Sequence, residues 1–279
     1  MHEWPLLIFT LSMQTAVGAF CFIEWMRFKD REAALAMDFN RRLLGVVGVM
    51  AVGMAASFLH LGTPGHAFYA LSNLKSSWMS REIFMASLFM GSVFIYTLIR
   101  LKGLVLPRLL TAKAAGIGLI GLALIYTMAR LYMFSTVPAW KSWHTVASFF
   151  LTALTLGPLA VWLTLSMHRD VLSMNRQMNL ARSLAVVGLG LGLVVSALWL
   201  MGLSQGNRAA QQSLALLKSD YLYAVIGAFV LKTAALGLLL IKGKSRYRPC
   251  LLWVLFVITL AAEVLARVLF YVSYVQLGM

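Results

Sequence analysis

Long hydrophobic segments, separated by short polar stretches, make up almost the whole chain. A helix rises about 1.5 Å per residue, so about 20 consecutive apolar residues cross the roughly 30 Å hydrocarbon layer of a membrane. Eight segments meet this requirement, at residues 5–26, 43–61, 82–99, 110–133, 145–167, 183–203, 220–241 and 250–275. The pattern predicts an all-α integral membrane protein, a single polytopic domain over residues 1–279 with about eight transmembrane helices in a bundle.

The composition indicates that lipid, rather than water, is the main solvent of the chain. Of the 279 residues, 61 % are hydrophobic and 12 % are charged, whereas a soluble domain usually carries about 25 % charged residues. The segment from Met1 to Pro5 has no basic region of the kind that begins a cleavable signal peptide. We therefore expect the first hydrophobic segment to be retained as a transmembrane helix.

The basic residues fall mainly on one side of the predicted bundle. A net charge of +15 could suggest a nucleic-acid partner, but the Lys and Arg residues are spread over the loops rather than clustered on one segment. Sixteen of them lie in or beside the connections that follow spans 1, 3, 5 and 7, and six lie on the opposite side. Because basic loops stay in the cytoplasm, the distribution predicts that both termini face outward. No nucleic-acid partner is expected.

The sequence lacks the ligands that common redox groups require. Its two cysteines, Cys21 and Cys250, are far apart and form no CxxC pair, whereas an iron–sulfur cluster usually takes four Cys ligands. A haem held by two His ligands would need them within two facing spans, and no two of the five His residues are placed deep enough. We therefore expect neither a cluster nor a haem in this protein.

His60 and Glu82 form the first candidate pair. His60 closes span 2, where Gly62 and Pro64 stop the helix. Glu82 opens span 3 and so returns to the same outer boundary of the membrane. Taken singly, a His at a helix end can act as a cap, and a Glu at a helix N-terminus suits the helix dipole. Side by side, the two residues form a pair that can accept protons.

Other spans contribute ionisable side chains near the same outer level. Glu263 and Arg267 are four residues apart in span 8 and so share one helix face. A charge at the centre of a span costs about 2.5 to 3.5 kcal/mol, which makes an intramembrane pair a functional candidate, and a structural salt bridge is the alternative. Arg130 and Tyr132 reach the outer level at the end of span 4.

These His, Glu, Arg and Tyr side chains suit an amphiphile whose tail lies between helices and whose head exchanges protons and electrons. A lipid-soluble quinol has these properties. We expect its head group to meet His60 and Glu82, with Arg267 close enough to orient Glu82 or a quinol oxygen. Gln14 and Lys232 lie deeper in their spans and are not assigned.

Several short sequence motifs are distributed along the chain, from the first predicted helix to the last. They are His2-Glu3-Trp4-Pro5-Leu6, Ile8-Phe9-Thr10, Leu59-His60-Leu61-Gly62-Thr63-Pro64, Ala67-Phe68, Arg81-Glu82-Ile83, Thr136-Val137-Pro138-Ala139-Trp140, and Glu263 with Arg267, Leu269, Phe270 and Tyr271. Together they resemble the membrane-anchor subunit of bacterial dimethyl sulfoxide reductases. The motifs are specific as a set, whereas any one alone would be weak.

The resemblance implies an eight-helix anchor of the bacterial inner membrane that has no haem and oxidises menaquinol. It also implies that the electrons pass to an iron–sulfur subunit and then to a molybdopterin catalytic subunit, and that His60 and Glu82 bind the quinol. The sequence departs from the family pattern at Thr63, Arg81 and Ser135, where Ser, Asn and Asp are common. Arg81 changes the local charge beside Glu82.

Two other functions remain open from the sequence. A secondary transporter would show broken helices and charges near the membrane midplane, often in two related halves. The two halves of this sequence show at most a weak similarity to each other. A purely structural anchor would have no ligand site.

The outward-facing ends of the spans would also hold the partner of an oxidoreductase anchor. We expect Trp4, Lys75, Trp78, Trp140 and Trp143 to form the surface that docks an iron–sulfur subunit. Because Trp is common at the membrane boundary in any case, lipid anchoring is the alternative for each aromatic residue.

Overall fold

The computed structural model describes residues 4–29, 39–60, 73–103, 107–167, 175–241 and 249–277. In these ranges the helices are α1 (Trp4–Lys29), α2 (Phe39–His60), α3 (Trp78–Lys102), α4 (Pro107–Tyr132), α5 (Trp143–Ser166), α6 (Asn175–Gln205), α7 (Arg208–Ser219), α8 (Leu222–Ile241) and α9 (Pro249–Val272). All of them except α7 are long and apolar enough to cross a membrane. The prediction of an all-α membrane protein with about eight transmembrane helices is confirmed.

Capping residues move some helix ends away from the predicted span boundaries. α3 begins at Trp78, before the predicted start at residue 82, because the Ser77 side chain accepts a hydrogen bond from the Ser80 N–H at 3.2 Å. α3 ends at Lys102, and the capping residue Gly103 has a φ of 65°, the left-handed conformation that favours glycine at a helix C-terminus. Glu82 therefore lies one turn inside α3 rather than at its first residue.

α7 is a 12-residue amphipathic helix that the hydrophobic pattern did not predict, because it is too short and too polar to resemble a span. Its local signal is Asn207, whose side-chain oxygen caps the helix by accepting the Ala210 N–H at 3.1 Å. Ser213 and Leu217 lie on its buried face. The Ser213 hydroxyl donates to the Ser273 carbonyl at 2.8 Å, which holds α7 against the end of α9.

α1 and α5 form the centre of the bundle. Of their most apolar stretches, 67 % and 61 % are buried, against at most 44 % for the other transmembrane helices. α1 packs on α2, α4, α5 and α9, while α5 also packs on α4, α6 and α9. Because the transmembrane helices alternate in direction, α1 begins and α9 ends at the same end of the bundle, here called the terminus end. The opposite end, where α1 ends and α2 begins, is called the basic end.

Two glycines allow α1 and α5 to approach to backbone contact. A Cβ atom on Gly157 of α5 would collide with the backbone of Gly18 and Ala19 in α1, and one on Gly18 would collide with the Ala153 carbonyl. Backbone atoms, unlike the end of a flexible side group, cannot rotate aside. The separation of the two central helices therefore depends on the absence of these two side chains.

Gly157→Ala is expected to destabilise the protein, because the added methyl group must push α1 and α5 apart. Overpacking of this kind costs about 1–3 kcal/mol. The matched control is Gly91→Ala in α3, where a Cβ atom would have no neighbour within 4 Å and alanine favours the helix. Thermal unfolding of the purified protein in detergent measures both variants. Equal melting temperatures for them would contradict the close crossing.

Candidate functional site

Glu82 is a buried carboxylate that forms no hydrogen bond with any residue that the structure describes. Its side chain lies on α3 near the terminus end, and the residue is 7 % exposed. The adjacent Arg81 does not pair with Glu82, and its Nε and Nη2 atoms donate to the carbonyls of Leu74 and Lys75 at 2.8 and 2.6 Å. Buried polar groups normally have hydrogen-bond partners, and one without a protein partner is a candidate for binding a ligand.

Arg130 reaches the same face of α3 from the end of α4. Trp78 and Glu82 are four residues apart and therefore share one face of α3. The Arg130 guanidinium lies 5.0 Å from the centroid of the Trp78 ring, and the Arg81 guanidinium lies 4.3 Å from it. The Nε atom of Arg130 is buried and has no hydrogen-bond partner among the described residues. A cationic donor is therefore available on the face that carries Glu82.

Hydroxyl groups from three helices continue the site. The Tyr132 hydroxyl of α4 lies 3.2 Å from the Tyr271 hydroxyl of α9, which lies 3.5 Å from the Thr10 hydroxyl of α1. Both tyrosines interact electrostatically with Glu82. The structure thus brings Tyr132, which the sequence predicted, together with Tyr271, which was not singled out as a site residue.

The partners of Arg267 among the described residues are Gln14 and Phe149, and its expected role in orienting Glu82 or a quinol oxygen stays a prediction. Its Nη2 atom donates to the Gln14 side-chain oxygen at 2.9 Å, and its guanidinium lies 3.7 Å from the centroid of the Phe149 ring, a cation–π contact. Arg267 also interacts electrostatically with Tyr132 and Tyr271. The two tyrosines therefore lie within electrostatic range of both Glu82 and Arg267.

Glu263 pairs with Lys232 of α8 and not with Arg267. The Lys232 Nζ atom lies 3.0 Å from one carboxylate oxygen, and the Thr152 hydroxyl donates to the other at 2.8 Å. Lys232 follows the first residue of α8 by ten positions, and Glu263 precedes the last residue of α9 by nine. At 1.5 Å per residue, both lie about 15 Å from the terminus end, near the middle of a roughly 30 Å hydrocarbon layer.

A cavity of about 80 Å³ lies beside this ion pair, between α5, α6, α8 and α9. It is lined by His144 and Ser148 towards the terminus end and by Lys232, Glu263 and Arg267 at greater depth. This volume holds a few water molecules, whereas pockets for organic ligands usually measure about 300–1,000 Å³. The ion pair therefore lies beside a space that can hold water.

His60 is the last residue of α2 and so lies at the terminus end, as the sequence predicted. Its side chain is outside the described part of the structure, as are His2, His66 and His168. The two polar residues left unassigned by the sequence now have partners, since Lys232 binds Glu263 and Gln14 accepts from Arg267.

One residue of the predicted docking surface, Trp140, is buried in the structure. Trp140 is only 8 % exposed, and its ring N–H donates to the Phe270 carbonyl at 2.6 Å, so its assignment to an exposed docking surface is wrong. Trp4 and Trp143 are 53 % and 56 % exposed, and Lys75 is also exposed.

Residues that the sequence analysis did not assign to the site could have been recognised by their spacing along the helices. Thr10 and Gln14 are polar residues four apart in the apolar α1, and Arg267 and Tyr271 repeat that spacing in α9. Residues four apart share a helix face, so both pairs mark faces that meet inside the bundle. Among the described residues, no group of three or more His, Cys, Asp or Glu side chains could hold a metal ion.

Comparison with known proteins shows the family of this sequence. The sequence matches the family described as DMSO reductase anchor subunit (DmsC) over residues 1–272. The protein belongs to that family. It is therefore a multi-pass membrane anchor subunit of a DMSO reductase-type complex, and the resemblance seen in its motifs is confirmed.

Curated relatives match along the full length of the sequence. The C subunit of the anaerobic dimethyl sulfoxide reductase of Escherichia coli is 32 % identical over 282 residues, covering 100 % of this protein and 97 % of the relative. The C subunit of the same enzyme from Haemophilus influenzae is 28 % identical over 281 residues with the same coverage. The anaerobic dimethyl sulfoxide reductase subunit YnfH of Escherichia coli is 31 % identical over 289 residues, again with 100 % and 97 % coverage.

Proposed function

We propose that this anchor oxidises menaquinol at its terminus end and passes the electrons to an iron–sulfur subunit, which supplies a molybdopterin catalytic subunit. The observation that carries the proposal is the buried Glu82 carboxylate, which has no hydrogen bond to the described residues. A quinol hydroxyl is a hydrogen-bond donor and a proton source. It therefore satisfies the group that the protein leaves unsatisfied.

Oxidation of a quinol releases two electrons and two protons, so the site must accept protons while electrons leave for the partner. In the proposal, Glu82 accepts one proton and His60, at the same end of the bundle, accepts the other, because imidazole exchanges protons near neutral pH. Arg130 and Tyr132 donate hydrogen bonds to the quinol oxygens. Arg267, which donates to Gln14, supplies a positive charge near the two tyrosines of the site.

Glu263 has a supporting role in this proposal, because both of its carboxylate oxygens are already bound. Its pairing with Lys232 near mid-membrane depth is the feature that a secondary transporter would share. Here, however, the two charges compensate each other, and the cavity beside them measures about 80 Å³. Quinol oxidation therefore accounts better for the charged residues than transport does.

The proposed function is tested by comparing two electron donors to the purified complex. His60→Ala is expected to remove most of the turnover supported by menaquinol, while a reduced viologen, which feeds the partner subunits directly, still drives the terminal reduction. Tm and subunit stoichiometry report whether the complex assembles. Native menaquinol turnover in this variant would place the proton acceptor elsewhere.

The proposed orientation follows from the charges and has its own test. If the sixteen basic residues lie in the cytoplasm, the terminus end faces the periplasm of a bacterial inner membrane and docks the iron–sulfur subunit there. A reporter that is active only after export is then expected to work when fused after Gly278. Photocrosslinkers at Trp4, Lys75 and Trp143 are expected to capture the cluster-bearing subunit. Capture only from the basic end would contradict this orientation.

A further inference from the structure

A large apolar groove lies at the basic end, on the side of the bundle opposite to Glu82. It runs between α1 and α4 beneath the end of α3 and has a volume of about 560 Å³. Phe20, Trp25, Phe28, Leu119 and Leu122 line it, and all of these except Phe20 are more than 40 % exposed. The groove therefore opens towards the lipid.

The mouth of the groove is a charged cluster with an excess of positive charge. Glu24 accepts a hydrogen bond from Tyr96 at 2.6 Å and pairs with Arg27 at 3.2 Å and with Arg100 at 3.5 Å. Among the described lining residues, these two guanidinium groups and one carboxylate leave a net charge of +1. One carboxylate therefore neutralises only one of the two arginines.

Arg27 also retains a donor that the described residues leave unused. Its Nε atom is bound by Glu24, and its Nη1 atom donates to the Asn40 side chain at 2.9 Å. Its Nη2 atom is buried and has no hydrogen-bond partner among the described residues. An anionic oxygen placed at the mouth would satisfy this donor and the excess charge together.

The depth of the groove matches one leaflet of a membrane. Phe20, at its inner end, precedes Lys29 at the end of α1 by nine residues, which is about 14 Å along a helix. Half of the roughly 30 Å hydrocarbon layer is about 15 Å. A hydrocarbon tail that enters at the end of α1 and follows this helix to Phe20 therefore spans about the depth of one leaflet, and Arg27 lies within the first turn of that path, near the head group.

We propose that this groove binds an acidic phospholipid of the leaflet at the basic end. Its phosphate is held by Arg27 and Arg100, and one acyl tail lies along α1 and α4. A second quinol site fits less well. Glu24 is the one carboxylate among the described lining residues, and it already accepts from Tyr96 and pairs with both arginines, so it offers no free base for the protons. The proposal is independent of the quinol site.

Native mass spectrometry of the full-length protein, delipidated in detergent, tests the head-group selection. Phosphatidylglycerol is expected to remain bound as a discrete adduct, and phosphatidylethanolamine to bind more weakly. Arg27→Gln is expected to lower the affinity for phosphatidylglycerol about fivefold, since one basic residue near anionic lipid is worth about 1 kcal/mol. The control Lys218→Gln, an exposed residue at the terminus end, is expected to change nothing.

A second pair of variants tests the groove without touching the charges. A Cβ atom on Gly118 would be 3.5 Å from the Cys21 sulfur, inside the groove, whereas one on Gly116 would meet no atom within 4 Å. Gly118→Phe is expected to remove the adduct, and Gly116→Phe to keep it. Excess inorganic phosphate is expected not to displace the lipid, because the acyl tail is also held.

Three results would overturn the proposal. They are equal retention of the two phospholipids by the native protein, an adduct that survives Gly118→Phe, and displacement of the lipid by inorganic phosphate alone. If Arg27→Gln does not fold, the two glycine variants still decide the question.

Discussion

Glu82→Gln is expected to lower menaquinol-supported turnover by about 100-fold or more, because glutamine keeps the shape of the side chain but does not accept a proton, and general acid–base groups contribute about 10²–10⁴-fold. The same change is expected to leave the melting temperature unchanged or raised. The side chain is buried without a hydrogen bond to the described residues, so its replacement by a neutral amide removes the cost of burying an ionisable group. Steady-state kinetics with both donors, together with thermal unfolding, measures the two effects.

Glu24→Gln is the matched control, and its effects are expected to be the reverse. Glu24 is bound by Arg27, Arg100 and Tyr96 at the basic end, so its neutralisation lowers the melting temperature and leaves menaquinol turnover per folded complex intact. If Glu82→Gln instead behaves like Glu24→Gln, losing stability but not turnover, then Glu82 is a structural residue.

Breaking the Lys232–Glu263 pair is expected to give the largest loss of stability of any single change considered. Lys232 and Glu263 are only 5 % and 7 % exposed, and their charged atoms lie 3.0 Å apart. Lys232→Met leaves Glu263 as an uncompensated buried charge, which costs about 3–5 kcal/mol. Thermal unfolding in detergent reports the loss.

The double variant Lys232→Met with Glu263→Met is expected to recover most of that stability, because replacing both charges by apolar groups of similar volume is often neutral or favourable. Once Glu263 is replaced, the Thr152 hydroxyl donates its one proton to the Ser148 carbonyl, which lies 2.9 Å away, so no new unsatisfied group appears. Menaquinol turnover is expected to persist in the double variant. A folded double variant that has no menaquinol turnover would show that Glu263 takes part in the quinol site.

The sequence was sufficient to predict the membrane-spanning helices because their apolar runs are long. It could not predict α7, whose polar face and length of 12 residues give no such signal. The start of α3 was also misplaced, because it depends on the Ser77 cap rather than on hydrophobicity.

Partners inside the bundle were harder to predict than the residues themselves. Glu263 and Arg267 share a helix face and were expected to act together, yet Glu263 binds Lys232 and Arg267 binds Gln14. Spacing along one helix restricts which residues share a face but does not say which other helix packs against it. That depends on how the helices pack in three dimensions, where α9 contacts both α1 and α5.

Photolabelling with an azido analogue of menaquinol tests the central claim most directly, because it reports where the head group binds without relying on turnover. In the native complex the label is expected in the peptide that contains Trp78 and Glu82 or in the end of α4 around Arg130 and Tyr132, and Glu82→Gln is expected to reduce it strongly. Labelling confined to the groove between α1 and α4, or to the cavity beside Lys232, would contradict a quinol site at the terminus end.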